Sequence, residues 1–403
     1  GVRPLYSLDI GTIKNSKYNL IGFASELKCL TYFQTSELKV NHINPGTYSV
    51  YSYDNMIKIW QLDFQNKPYY LPSFSYSRLI SCQENYFAEI SNNIVYYLNS
   101  SVVKRCESTE RPVACLLSGG LDSSLIAALV ANYFRIQGKK IETYSIGLAE
   151  SEDIKYARIV ANYIDSIHHE IIVTEDDMFN AIPEVIEALE SYDTTTIRAS
   201  LGNYLIGKHI AANSEAKVIF NGDGSDELFG GYLYMNKCPD SIEFDKETRR
   251  LLKDIHLFDV LRSDKSISSN GLEPRTPFLD KSLVNYVLSI PAKFRNHTEC
   301  VGEPEKGLLR RAFNDYFDDN LGRKILPDEI LWRRKEAFSD GVSCQGRSLF
   351  VILQEKIRDK LNIKVKDLQA KHIENDVYYF PYEANIKTEK KYYKEIFDNL
   401  YPN

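Results

Sequence analysis

The sequence predicts an α/β fold: a doubly wound parallel sheet with helices on both faces, a mostly helical C-terminal part, and a small β-rich segment in front. Three observations carry this reading. Between residues 113 and 220, short apolar runs of strand length alternate with segments of helical period, the pattern of a parallel sheet covered by helices. Two of the strand-like runs, "VACLL" and "KVIF", feed directly into glycine- and acid-rich loops, "SGGLDSS" and "NGDGSDELFGGY". Residues 1–72 differ from the rest, with aromatic and β-branched runs such as "LIGFAS" and "TYSVYSY" broken by "NPG" and "DN".

Taken in order, the first segment reads as strands and hairpin turns. "NKPYYLPSFSYS" (residues 66–77), with two prolines and several serines, reads as a linker to a second domain at residues 82–403. Residues 83–104 form an amphipathic helix leading into "VACLL". After the first loop comes a helix rich in good helix formers, then a strand in "IETYSIGL" (141–148). Residues 153–165 space apolar or aromatic groups at Tyr156, Ala157, Val160, Tyr163 and Ile164, which is helical spacing. "HHEIIV" (168–173) is a strand, 176–190 and 200–212 are helices, and "KVIF" (217–220) is a strand. Beyond residue 240 the pattern is mostly helical.

Composition narrows the function. Hydrophobic residues make up 43% of the 403 and charged residues 26%, ordinary for a globular protein with a large core. A net charge of −6 gives no reason to expect nucleic acid as a partner. No apolar run approaches the roughly 20 residues of a membrane span. The seven cysteines are widely spaced with no C-x-x-C, so reduced thiols in a cytoplasmic protein are expected rather than a zinc site or a disulfide framework. The sequence opens on Gly1 with no signal-peptide core.

The first loop reads as a phosphate site. Gly119 and Gly120 let the chain bend tightly and a bulky group come close, and the N–H groups opening the next helix favour an anion. Asp122 would repel a phosphate by about 4 kcal/mol at 4 Å and an effective dielectric of 20, unless a divalent cation such as Mg²⁺ lies between them. The Lys-bearing phosphate loop is absent. In the second loop Asp223, Asp226 and Glu227 fall within five residues. Glu227 suits a helix N-terminus, whereas Asp223 between two glycines points to a role with a cation or as a base. In "ESYDTTTIRAS" (190–200), a hydroxyl cluster followed by Arg198 suits a bound carboxylate.

These segments, with "EPRTPFLD", "LWRRKEAFSDG" and the C-terminal "KEIFDNLYP", resemble asparagine synthetase B, the glutamine-hydrolysing type, in order and over essentially the whole chain. The resemblance implies a synthetase domain of the PP-loop ATP pyrophosphatase type at 82–403. In front, residues 1–72 would be the last part of an Ntn-hydrolase glutaminase domain. It implies a ligase that uses ATP and Mg²⁺ to convert aspartate to a β-aspartyl-adenylate, releases pyrophosphate, and lets ammonia attack. By the same resemblance Ser118, Gly119, Gly120, Asp122 and Ser123 hold pyrophosphate, and Leu117, Ile146, Asn221 and Gly222 line the ATP site. Asp122 and Asp226 hold the metal, Thr195, Thr196 and Arg198 hold aspartate, and Asp223 and Lys335 are catalytic. The sequence does not fix the oligomeric state, a homodimer being one assembly it allows.

Two departures stand out. The family's N-terminal cysteine nucleophile has no counterpart here, since Cys29 in "ELKCL" lies beyond the matching "FASELK" segment, so ammonia is the expected donor unless the preceding domain is supplied. Asp223 stands where the family has Glu, and relatives that close β-lactam rings typically have Tyr. A related adenylating ligase and a non-catalytic nucleotide-binding paralogue remain the alternatives.

Overall fold

The computed structural model describes residues 3–12, 19–33, 39–69, 86–149, 151–299, 304–318, 321–335, 347–362 and 380–401. The chain divides into two compact units, residues 1–73 with 397–403, and residues 74–396. In the first, β1 (Tyr6–Thr12) pairs antiparallel with β2 (Asn19–Ala24) and with β3 (Val40–His42), and β4 (Thr47–Asp54) forms a hairpin with β5 (Ile59–Pro68). Cross-strand aromatic pairs fix the hairpin register, Tyr53 against Trp60 at 5.0 Å and Tyr48 against Phe64 at 5.4 Å. The expected linker therefore begins inside β5, and its residues 70–77 lie outside the described residues.

The second unit is built on five parallel strands: β6 (Val113–Leu116), β7 (Glu142–Gly147), β8 (Ile167–Ile172), β9 (Val218–Phe220) and β10 (Glu273–Arg275). Their order is β10-β9-β6-β7-β8. Pleating sends alternate residues to opposite faces. Val113, Cys115, Val218 and Phe220 join one large buried core with the helices Tyr86–Glu107 and Leu121–Arg135. Ala114 and Ile219, equally buried, belong to the opposite face, where the helix Thr194–Asn213 packs on β7.

The strand order decides where a ligand goes. From β6 the chain moves outward through β7 to β8, then returns to place β9 on the other side of β6. The direction thus reverses between β6 and β9, and the crevice beyond their carboxyl ends is the place where such sheets bind ligands. The two glycine- and acid-rich loops leave these two strands.

Three elements depart from the sequence reading. β10 was not foreseen, because Pro274 within it breaks a strand pattern; as an edge strand it loses no ladder bond that the sheet needs. The expected helix 176–190 is two helices, Glu175–Asn180 and Ile182–Leu189, with Pro183 in the first turn of the second, where its missing N–H costs nothing. The helix expected at 200–212 begins six residues earlier, capped by the Asp193 side chain, which accepts from the Thr196 N–H at 2.8 Å. Among the described residues no helix is long and apolar enough to cross a membrane.

Candidate functional site

The loop after β6 folds on its own side chains. The Ser118 N–H donates to Ser123 Oγ at 3.1 Å, the two hydroxyls lie 3.0 Å apart, and the Gly120 N–H reaches Ser118 Oγ at 3.3 Å. Gly119 sits at φ 74, and a Cβ there would fall 2.5 Å from the backbone nitrogen of Ala157 and from Tyr156 Cβ. Only glycine fits, and the next helix starts immediately, with Gly120 at its N-cap. Arg333 fastens the loop from outside, donating to the Gly119 carbonyl at 3.2 Å while its guanidinium stacks 3.8 Å from the Tyr156 ring centre.

The loop after β9 comes up against the first. A Cβ on Gly222 would lie 2.7 Å from Asp122 Cβ and 2.7 Å from the Ser123 nitrogen, so the two loops touch backbone to backbone. Between them stands Lys306, buried, its ammonium 2.5 Å from Asp122 Oδ2 and 2.6 Å from Asp226 Oδ1. Lys335 pairs with the other oxygen of Asp226 and lies 5.0 Å over the Tyr232 ring. Burial alone would raise the Asp226 carboxyl, but the two lysines outweigh it and hold it at about 2. Burial likewise opposes the charge on Lys306, yet Asp122 and Asp226 carry its pKa above the usual lysine range.

Asp223 is in a different state. Burial, then the neighbouring Asp259 carboxylate, push it up to about 7. The Asn221 amide donates to Asp223 Oδ2 at 2.7 Å and to Ser263 Oγ at 2.6 Å, which fixes the acid at the strand end. Glu227 is raised to about 8 by burial and by Asp259, and accepts from the Tyr232 hydroxyl at 2.5 Å. Two acids three residues apart therefore titrate far apart, Asp226 held as a permanent anion and Asp223 poised near neutrality.

Asp122, Asn221, Asp223, Asp226, Lys306 and Lys335 line one cleft of about 670 Å³. Of the residues expected from sequence, Ser118, Gly120, Asp122, Ser123, Thr195, Arg198, Asn221, Gly222, Asp223, Asp226 and Lys335 all border it. Leu117 and Ile146 line a small adjoining pit with Tyr144, Ser145 and Ile206. Gly119 shapes the loop without bordering the cleft, and Thr196 is buried within the helix start and does not border it either. Lys306, Asp259, Arg262 and Arg333 border the cleft and were not singled out as site residues from sequence. A signal for Lys306 exists in "FGGY": a Cβ on Gly231 would overlap Lys306 Cε at 2.0 Å, so that glycine is where the lysine passes.

The donor set suits a hard cation. Asp122 Oδ1 is buried without a hydrogen-bond donor among the described residues, and Asp122 and Asp226 face one another across a single ammonium. No group of three or more His, Cys, Asp or Glu gathers at metal-binding spacing among the described residues. An ion here would complete its shell with water or phosphate oxygens, as Mg²⁺ commonly does.

Comparison with known proteins gives the site its context. The chain is 37% identical to the asparagine synthetase [glutamine-hydrolyzing] of Cricetulus griseus over 410 residues, covering all of this chain and 69% of that protein. It is 38% identical to the Gallus gallus protein of the same name over 415 residues and 36% identical to the Homo sapiens one over 409, each again covering 100% of this chain and 69% of the relative. Among solved structures, the NMN synthetase from Francisella tularensis aligns over 72% of this chain and 99% of its own at 14% identity and a TM-score of 0.28, too distant to bear on fold or chemistry. The family model described as asparagine synthase matches residues 95–243 and 236–402, and with these relatives it places the chain in the asparagine synthase family.

Proposed function

We propose that the cleft converts aspartate to asparagine at the expense of ATP, through a β-aspartyl-adenylate and with ammonia as the attacking amine. The observation that carries this reading is the meeting of the two loops at the switch point, where Asp122 and Asp226 face each other across Lys306 while Asp223 stands beside them poised near neutrality. Residues 82–403 are read as the synthetase domain of the PP-loop pyrophosphatase type, and residues 1–72 as part of a glutaminase domain.

In this reading the adenine side of ATP lies toward Leu117 and Ile146, and the β- and γ-phosphates meet Ser118, Gly120 and Ser123 at the helix N-terminus. Asp122 and Asp226 would hold Mg²⁺, which supplies charge neutralisation on the phosphates. Lys306 and Lys335 present positive charge on the same side, where it counts most as the leaving pyrophosphate gains charge. Thr195 and Arg198 grip aspartate by a carboxylate. The side-chain carboxylate of aspartate attacks the α-phosphorus, the bond to the β-phosphate breaks, and pyrophosphate leaves. Ammonia then attacks the acyl carbon, Asp223 in its anionic form accepts a proton from the incoming amine, and AMP departs with its bonding pair.

The chemistry is tested by incubating the 403-residue chain with ATP, Mg²⁺, aspartate and ammonium. Asparagine, AMP and pyrophosphate should form in equal amounts. Pyrophosphate release that another amino acid supports better than aspartate would point to a different adenylating ligase, and no release at all would point to a nucleotide-binding paralogue.

A further inference from the structure

Arg198 borders the cleft, but its guanidinium is held from behind. Its Nε donates to the Thr194 carbonyl at 3.2 Å, and the same nitrogen lies 3.2 Å from Glu389 Oε1. The Phe350 ring centre lies 4.9 Å from the guanidinium carbon. Glu389 belongs to the helix Phe380–Leu400 and is fully buried, at 0% exposure. Its second oxygen accepts from the Gln354 amide, itself buried, on the helix Leu349–Lys360. Two helices from the end of the chain thus converge on one arginine that is separated from them by more than 150 residues of sequence.

We propose that Glu389 is a positioning residue for substrate aspartate: it pins the Nε edge of Arg198 so that the two terminal nitrogens of the guanidinium are presented to the substrate carboxylate. This rests on the reading of Arg198 as the carboxylate grip. The physical case has three parts. A buried ion pair stabilises a fold little better than apolar groups of the same shape, so a carboxylate with no access to water is poorly explained by stability. A guanidinium grips a carboxylate best through two parallel hydrogen bonds, and that fork is useful only when its plane is fixed. Among the described residues no hydrogen bond engages the terminal nitrogens of Arg198, while Nε donates to the Thr194 carbonyl and is ion-paired with Glu389 Oε1, which is the division of labour such a grip requires. The C-terminal helix thereby becomes part of the aspartate site without touching the substrate.

Steady-state kinetics of the full chain, read as pyrophosphate release, test this. Glu389→Leu removes the charge paired with Nε and should raise KM for aspartate about tenfold or more, with KM for ATP unchanged, since a buried ion pair is at stake. Glu389→Gln keeps the shape of the side chain but not the charge paired with Nε, and should raise the same KM by less than Glu389→Leu. Gln354→Met leaves the carboxylate but removes its second anchor, so a smaller rise in the same KM is expected. An unchanged or lowered KM for aspartate in Glu389→Leu, or equal rises for aspartate and ATP, overturns the proposal. If Glu389→Leu does not fold, an unchanged KM in Gln354→Met overturns it instead. Arg198→Gln separates the two layers of inference. If it leaves KM for aspartate unchanged, the grip itself is wrong and the proposal falls with it; if it raises that KM while Glu389→Leu does not, only the positioning role is wrong.

Discussion

Replacing Gly222 by alanine should disable catalysis while leaving the protein folded. The built Cβ lies 2.7 Å from Asp122 Cβ, the Asp122 carbonyl carbon and the Ser123 nitrogen. Non-bonded carbons rest at about 3.5 to 4.0 Å, so the contact is short by about 1 Å. None of the opposing atoms is the tip of a flexible side chain, and the loops themselves must separate. One loop carries Asp122 and the other carries Asp223 and Asp226, so the shift falls between the groups proposed to act together. A misplacement of about 1 Å can lower a rate on the order of 10²-fold. The stability cost of overpacking is about 1 to 3 kcal/mol, which moves the melting temperature of a domain this large by only a few degrees.

Aspartate-dependent pyrophosphate release and thermal melting, measured on the same preparation, separate these effects. Gly138→Ala is the control: that residue sits at φ 70 with nothing within 4 Å of a built Cβ, so alanine there adds left-handed strain of about 1 to 2 kcal/mol and no collision. Gly138→Ala should melt lower and turn over normally. Wild-type turnover by Gly222→Ala would show that the spacing of the two loops is irrelevant to the chemistry. Equal losses in both variants would assign the effect to stability alone.

Three further outcomes follow from the charges. Lys306→Met strips the cation from between Asp122 and Asp226 and should cost on the order of 3 kcal/mol, with added Mg²⁺ raising its melting temperature more than that of wild type; identical Mg²⁺ responses would deny that the two cations compete for one place. Asp223 is raised to about 7, so it penalises the folded state above that pH, where it must ionise, and the penalty fades as pH falls toward the ordinary 3.8. Asp223→Asn should therefore melt above wild type at pH 8, with the gap closing on acidification, and should form no asparagine at any pH; a gap independent of pH contradicts the titration. Arg333→Lys loses the fork that holds the Gly119 carbonyl and stacks on Tyr156, and should raise KM for ATP about tenfold with KM for aspartate unchanged; equal rises in both constants would reduce Arg333 to a general structural role.

The sheet and both loops were legible because their signals are local. β6 and β9 announce themselves as apolar runs, β7 and β8 as short β-branched or aromatic stretches between helical periods, and glycines beside acids at two strand ends mark a place for an anion and a cation. The break before Ile182–Leu189 was written in Pro183, but the helical period on either side of it masks the interruption. β10 was illegible for a different reason: a strand of three residues containing proline exists only because β9 offers it an edge. Lys306 lies 184 residues from Asp122, at the left-handed N-cap of the helix Gly307–Asn314, and neither its spacing nor its neighbours in sequence say that it is buried. Its partners are set by tertiary packing, through the buried Arg310, whose guanidinium donates to the Glu305 carbonyl at 2.8 Å and to the Leu331 carbonyl at 2.6 Å.

That arginine explains why the helical C-terminal part belongs to the active unit rather than standing behind it. It ties the segment that carries Lys306 to the segment that leads to Lys335, so both ammonium groups are delivered together to a crevice whose strand-end loops supply charge only as carboxylates. Two carboxylates and two ammonium groups balance, and the cluster bears burial because each charge has its partner. If Asp122 and Asp226 held a metal ion, Lys306 and Lys335 would be left to face phosphate. The same lysines that pair with the two loops would then stabilise the pyrophosphate as it leaves, and the sheet without its C-terminal segments supplies neither.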